Sequence, residues 1–367
     1  MSQRHADISR SSQRLHCLDA LRGFDMIWIV GGREIVNAWA AATGSPSLET
    51  LLEQLHHVEW NGFTAWDLVF PLFLFIAGVA MPFSLRRRVE RGDTRSHLAG
   101  HVVRRGLLLV VLGVLYNLRG DSLESHRFAS VLGRIGLGYM GAGLIVLRWK
   151  LGGQIAWTVG ILLGYWAALS WIPVPGHGAG DLSPGHTFTD WVDQNLLPGR
   201  LHRGDRDPEG LFSSVPAVAT ALLGALTGTW LRNTTRTTAT TLGLLLMGGL
   251  ALALGGLWST VFPINKNLWT SSFVLWTAGW SLIALAVFHQ LVDVLRLTKL
   301  AFPFTVIGMN AITVYMLARW LPLDSWFTGW IPATYEGVPV VQLLGAGLVV
   351  YWLMLYGLWR KRWFLRV

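Results

Sequence analysis

Charge is scarce in this chain. Only 14% of its 367 residues are Asp, Glu, Lys or Arg, against about a quarter in a soluble domain. The stretches 151–180 and 237–265 contain none at all. That scarcity excludes a disordered chain and an ordinary cytosolic enzyme. Cysteine is almost absent too: Cys17 stands alone, so no internal disulfide can form and a disulfide-stapled secreted scaffold is excluded. The net charge of +9 raises nucleic acid as a partner, yet no groove-reading or base-stacking module is visible, and none is expected. What fills the space is apolar: 52% hydrophobic residues, with 20 Trp and 41 Gly. Trp gathers at membrane interfaces, and Gly is commoner in membrane helices than in soluble ones. The composition is that of an all-α, polytopic integral membrane protein.

A spanning helix needs roughly 20 mostly apolar residues. Ten stretches meet this, at about 19–40, 63–85, 101–118, 129–148, 152–172, 211–231, 239–261, 268–291, 301–320 and 338–359. The first is the weakest, because Asp25 and Arg33 interrupt it. If the N-terminus, the even-numbered loops and the C-terminus share one side, that side carries 18 Lys and Arg and the other eight. The positive-inside rule then puts both termini in the cytoplasm. The expected organisation is a cytoplasmic segment 1–18, one transmembrane domain 19–359, and a basic cytoplasmic tail 360–367. The longest connection, 173–210, falls on the outer side, where a loop of that length is usually functional or mobile. The polar start 1–16 has no apolar core of its own and does not read as a cleavable signal peptide.

Ionisable groups near a membrane interior are costly and mark a pair or a site. Asp19, Arg22 and Asp25 sit three apart at the mouth of the first span. They suit either a self-neutralising helix entrance or an arginine reserved for an anionic ligand. On the outer side, His56-His57-Val58-Glu59-Trp60-Asn61-Gly62 precedes the second span, with Asp67 just inside it. This reads either as an interfacial His-Trp belt or as a base whose tautomer a carboxylate fixes. His56, His57 and Glu59 lack a second ligand pair, so no metal is expected. Asp207-Pro208-Glu209-Gly210, Asn265-Lys266-Asn267-Leu268-Trp269 and Gly308-Met309-Asn310 each read as a cap, an interhelical hydrogen bond or part of a site. Arg86, Arg87, Arg88, Arg104 and Arg105 form a basic inner mouth suited to anionic lipid or to phosphates. The residues alone leave a transporter, a channel and a transmembrane transferase open.

Taken in order, these motifs resemble a known family. Leu18-Asp19-Ala20-Leu21-Arg22-Gly23, then His57-x-x-Trp60-Asn61-Gly62-x-Thr64, then Asp67-Leu68-Val69-Phe70-Pro71 are similar to the heparan-α-glucosaminide N-acetyltransferase family and its bacterial relatives. Val131-Leu132-Gly133-Arg134-Ile135-Gly136 and the three later motifs continue the likeness, which runs from about residue 14 to the C-terminus. The resemblance implies a membrane enzyme of the bacterial cytoplasmic membrane. It would move acetyl from cytoplasmic acetyl-CoA to the amine of a glucosamine-type sugar or glycan on the far side. It implies His57 as general base or acetyl carrier, oriented by Asp67, and Arg22, Arg105 and Arg134 at the inner mouth for the CoA phosphates. Trp60, Asn61, Glu209, Asn265, Lys266, Asn267 and Asn310 would then line the acceptor side, and a homodimer is implied by analogy. Where many relatives carry an Asn after the first helix, this chain has Gly31-Gly32-Arg33-Glu34, a pair suited to a differently charged acceptor. The rival readings are O-acetylation of a cell-envelope polysaccharide and a non-catalytic transporter. A transporter would be expected to show broken helices in paired halves.

Overall fold

Small residues decide how closely these helices approach. The computed structural model describes residues 15–118, 125–320 and 338–364, so residues 1–14 of the N-terminal segment and 365–367 of the basic tail lie outside the described residues. Helix α1 is His16–Ile27, α2 Arg33–Thr43, α3 Pro46–Glu53, α4 Val69–Glu90, α5 Arg95–Asn117, α6 Val131–Arg148 and α7 Leu151–Trp171. They are followed by α8 Phe188–Leu196, α9 Val215–Arg232, α10 Thr238–Trp258, α11 Ser271–Phe288, α12 Thr298–Met309, α13 Ala311–Trp320 and α14 Val338–Arg360. Among the described residues there is no strand, only two isolated bridges. With no water in the hydrocarbon layer, a chain this apolar must satisfy its backbone within each helix.

The α4–α9 crossing is one of the closest joints of the bundle. A Cβ added to Gly78 would lie 2.2 Å from the Ala221 carbonyl oxygen, and one added to Gly224 would lie 2.2 Å from that of Phe75. Lipid tails are as apolar as leucine, so helices in lipid associate by such close backbone packing rather than by burial alone. The same device joins α1 to α12, where Gly23 faces the Phe304 carbonyl and Gly308 that of Asp19. On the periphery, α10 presents Leu242, Leu246, Leu250, Leu254 and Leu257 outward. That exposed apolar stripe belongs to a helix surrounded by hydrocarbon, not water.

All ten expected stretches are helical, but two are not straight. The first breaks after α1 into a wide turn, Trp28–Gly32, in which Gly31 takes φ 153°. The ninth breaks at Asn310, where α12 and α13 meet at a bend of 64°. By length and composition, six described helices can cross a membrane: Ala65–Glu90, Arg95–Asn117, Val131–Arg148, Phe212–Arg232, Thr238–Trp258 and Ser271–Val294; the bent pair makes a seventh if taken as one span.

Gly78→Val should drive a side chain into the α9 backbone and cost about 1–3 kcal/mol or more, as overpacking does. Gly249→Ala, where a Cβ meets nothing within 4 Å, is the control and should leave stability unchanged or raise it by up to about 1 kcal/mol. Thermal midpoints of the two variants in detergent check this; equal midpoints would remove the close approach as a stabilising contact.

Candidate functional site

Two loops and one short turn meet at one end of the bundle. The first loop runs from α3 to the turn Ala65–Leu68, which leads straight into α4. Asp67, in that turn, is fully buried and its two oxygens have separate tasks. Oδ2 accepts the Thr64 backbone N–H at 3.1 Å and so caps the start of the helix, while Oδ1 lies 2.7 Å from His57 Nδ1. The His57 ring is half-exposed, at 51%, against 1% for the Asp67 side chain. A carboxylate on Nδ1 assigns the proton to that nitrogen and leaves Nε2 as the acceptor.

The second loop, between α10 and α11, brings in Lys266. Its Nζ lies 3.0 Å from His57 Nδ1, 3.2 Å from Nε2 and 3.4 Å from Asp67 Oδ1. Burial pushes the Lys266 pKa down, against the pull of Asp67 and Glu209. The two loops are bolted together just behind these groups. The Gly62 N–H donates to the Ile264 carbonyl at 2.9 Å, and Asn265 Nδ2 donates to Asn61 Oδ1 at 3.0 Å. Gly62 sits at φ 123°, a conformation that side-chain-bearing residues avoid. Asn265 is wholly buried, and its Oδ1 also accepts the Leu268 N–H. Asn61 and Asn265 therefore form the joint that positions His57 and Lys266. Trp60 lies on the same side, its indole N–H donating to the Leu182 carbonyl at 2.9 Å. Asn267 is half-buried in the second loop.

Behind Glu209 stands an arginine that sequence reasoning counted only as an outer-side charge. Arg127 grips Asp207 through two hydrogen bonds, at 2.6 and 2.7 Å, and also bonds Glu209. Burial works against this guanidinium's charge, but the two carboxylates more than reverse that and lift its pKa. The pairing spans 80 positions of sequence, and the unpaired acidic charge of the Asp207-x-Glu209 motif was the signal that a cation would come to it. Gly210 follows because nothing larger fits: a Cβ there would lie 1.7 Å from Asp193 Oδ2. Burial pushes Asp193 up to about 7.

Arg134 corrects an expectation. It was placed at the inner mouth with Arg105 and Arg22, but α5 and α6 run antiparallel, with Gly113 against Ser130 and Gly106 against Gly136. Val131 therefore begins α6 at the end where α5 finishes, away from Arg86–Arg88. Arg134 is buried there, bonded to Ser213 and Ser214 and stacked 4.9 Å over the Trp269 ring. Arg105 lies further along the same helix pair, 4.5 Å over the Tyr139 ring, with its Nε buried and unpartnered. Arg22 pairs with Asp19 at 3.4 Å on α1. The three guanidinium groups are not brought together. Asn310 is buried at the α12–α13 bend, its Nδ2 donating to the Val306 carbonyl.

His57, Lys266 and Glu209 share a cavity of about 260 Å³. Its wall is otherwise apolar and aromatic, with Met26, Phe70, Phe73, Ile135 and Ile312, and the stacked pair Tyr116 and Tyr315. Trp66 also lines it, with Arg33 lying 5.2 Å over the ring. The tyrosines and Trp66 escaped sequence reasoning because aromatics are common throughout the chain. An imidazole on a buried carboxylate, a lysine against that imidazole and a second carboxylate converge on an apolar chamber. That is the equipment for moving a proton off a nucleophile.

The fold and this site are those of an integral membrane protein with an imidazole, a carboxylate and a lysine gathered at one end of a helical bundle. No protein-family model matches the chain. It is 27% identical to mouse heparan-alpha-glucosaminide N-acetyltransferase over 83% of its own length and 53% of that protein. It is 28% identical to the human heparan-alpha-glucosaminide N-acetyltransferase over 71% of its own length and 48% of that protein. The chain is thus similar to these two acetyltransferases and spans about half the length of the curated relatives it matches.

Two predictions follow from the buried charges. Arg127→Met leaves Asp207 and Glu209 unneutralised and should cost about 3–5 kcal/mol, read as a large fall in thermal midpoint; a variant as stable as the parent would make the ion pair incidental. Asp193 holds its proton to a higher pH in the native state than when unfolded, so its burial stabilises the protein below about pH 4 and that stability is lost as pH rises toward 7. Asp193→Asn should therefore raise the thermal midpoint at about pH 8 and leave it nearly unchanged at about pH 4. Equal gains at both pH values would show that Asp193 does not titrate in this window.

Proposed function

We propose that the chain is an acetyl-CoA-dependent N-acetyltransferase of the bacterial cytoplasmic membrane. In this reading it has ten spans with both termini in the cytoplasm. It passes acetyl to the amine of a glucosamine-type sugar or glycan on the other side. The observation that carries the reading is the half-exposed His57 ring, held on buried Asp67 at the mouth of an apolar cavity. The names of the mouse and human relatives and the order of the shared motifs support it.

The residues present fit the donor in two parts. The apolar wall of the cavity suits an acetyl group and the slender pantetheine arm, and exposed Arg87 and Arg104, with Arg105, suit phosphates at the far end of α4 and α5. Arg134 is withdrawn from that role, because its guanidinium is committed to Ser213, Ser214 and Trp269. When bound, acetyl-CoA supplies a thioester carbonyl that an amine converts to an amide with release of the free thiol. An ammonium cannot attack, so a base must first take a proton from it. His57 Nε2 accepts that proton while Asp67 holds the Nδ1–H and steadies the resulting imidazolium. Lys266 is placed to release the imidazole and neutralise the oxyanion that forms on the carbonyl carbon's oxygen. Glu209, anchored by Arg127, presents a carboxylate to the acceptor's ammonium.

The test is release of CoA thiol by the purified protein in detergent, with glucosamine as acceptor. His57→Ala should lower turnover by about 10²–10⁴-fold while the thermal midpoint is kept. Turnover that survives in a folded His57→Ala protein would take His57 out of the chemistry. A product cleaved by mild base would be an ester, and would move the acceptor from an amine to a hydroxyl.

A further inference from the structure

The segment between α7 and α8 holds three side chains that the transfer reaction does not use. The ligating atoms of His177, Asp181 and His186 all lie within 4.8 Å of one another. The backbone builds this convergence locally. Val174 and Gly178 exchange both of their backbone hydrogen bonds, at 2.7 and 2.9 Å, closing a tight hairpin that carries His177. Asp181 Oδ1 accepts the Ser183 N–H at 2.8 Å, which turns the chain and leaves Oδ2 3.2 Å from His186 Nδ1. His186 directly precedes Thr187, whose hydroxyl accepts the Asp190 N–H and caps α8. Each of the three residues thus rises from a hydrogen-bonded backbone, and each side chain reaches solvent.

We propose that His177, Asp181 and His186 form a divalent-metal site of the zinc class. Two imidazole nitrogens and one carboxylate oxygen are the donors, and water takes the fourth position. Imidazole with carboxylate is a donor set that zinc accepts in tetrahedral geometry, at about 2.0–2.2 Å from each ligand atom. Tetrahedral ligands at that range stand about 3.3 Å apart, so the cluster needs to contract by roughly 1.5 Å. The two imidazoles are stacked 3.8 Å apart, at 16°. Loading turns them from face-to-face to edge-on, which half-exposed side chains can do without moving the backbone. This departs from the expectation that the chain holds no metal, for which His56, His57 and Glu59 were the ligands weighed. In the structure those histidines part, His56 bonding the Leu52 carbonyl and His57 reaching Asp67.

The site also has a mechanical connection. Leu182 lies between two of the ligands, and its carbonyl accepts the indole N–H of Trp60, three residues beyond His57. An ion on the three ligands pins the outer segment that holds the His57 loop from behind. The metal is structural in this role, and the site stands whether or not the acetyltransferase reading does.

The experiment uses the full chain, purified in detergent, stripped with EDTA and dialysed. It is titrated with zinc alone in competition with a chromophoric zinc chelator, and the thermal midpoint is followed at each addition. The wild type should take up one zinc per chain and gain thermal stability. The double variant His177→Ala/His186→Ala should bind at least about tenfold more weakly and lose the zinc-induced shift, while His56→Ala keeps both. The zinc-free midpoint reports whether the double variant is folded, and Asp181→Asn replaces it if that midpoint falls. No saturable uptake by the wild type, or undiminished affinity in the folded ligand variant, would overturn the proposal.

Discussion

One buried carboxylate carries two loads. Asp67 caps the turn Ala65–Leu68 that leads into α4 with one oxygen and fixes the His57 ring with the other. The first load ties it to the bundle, because α4 packs against α9 through Gly78 and Gly224. The second ties the site to that same helix. An acid this deep is tolerable only while its charge is answered, and the answer comes from His57 and Lys266 on two separate loops. With either His57 or Lys266 removed the other still faces Asp67, whereas removing Asp67 takes from buried Lys266 the carboxylate beside it. The geometry of the proposed site and the start of α4 are therefore one structure.

The same logic extends outward in a second layer. Arg127 answers Asp207 and Glu209, Ser213 and Ser214 answer Arg134, and the Asn61–Asn265 bond locks the two loops that hold His57 and Lys266. Trp269 adds a backbone cost: it takes φ 53°, a region that bulky side chains avoid, and in doing so slides its ring beneath Arg134. These polar groups answer one another, and the cavity wall they surround is left mostly apolar. Attraction between charges is strongest where water is excluded, which is where the proposed proton transfer needs it.

The apolar stretches were legible because lipid leaves the chain little choice, and each of the ten expected stretches is helical. His57 with Asp67, and Lys266 with Glu209, were legible as polar residues that a membrane end has to account for. Other features were hidden for physical reasons. Gly31 does not announce a break, since glycine is common throughout. Asn61 and Asn265 look the same in sequence whether they face a ligand or each other. Arg127 acquires its meaning only from carboxylates 80 positions away. Arg134 was misplaced because a motif gives a residue type and not an end of the bundle; the antiparallel run of α5 and α6 gives that.

The bend at Asn310 sets the position of one wall of the cavity. Ala311, Ile312 and Tyr315 form one part of the wall, and all three ride on α13, beyond the pivot. Asn310 Oδ1 is buried with no hydrogen-bond partner, so the pivot is not latched on that side. Tyr315 stands five residues along the arm, about 7.5 Å from the hinge at the helical rise. A change of about ten degrees in the bend carries its ring by roughly 1.3 Å, close to the radius of a water molecule. On that side the bore of the chamber is thus an angular quantity, set by the bend at one peptide.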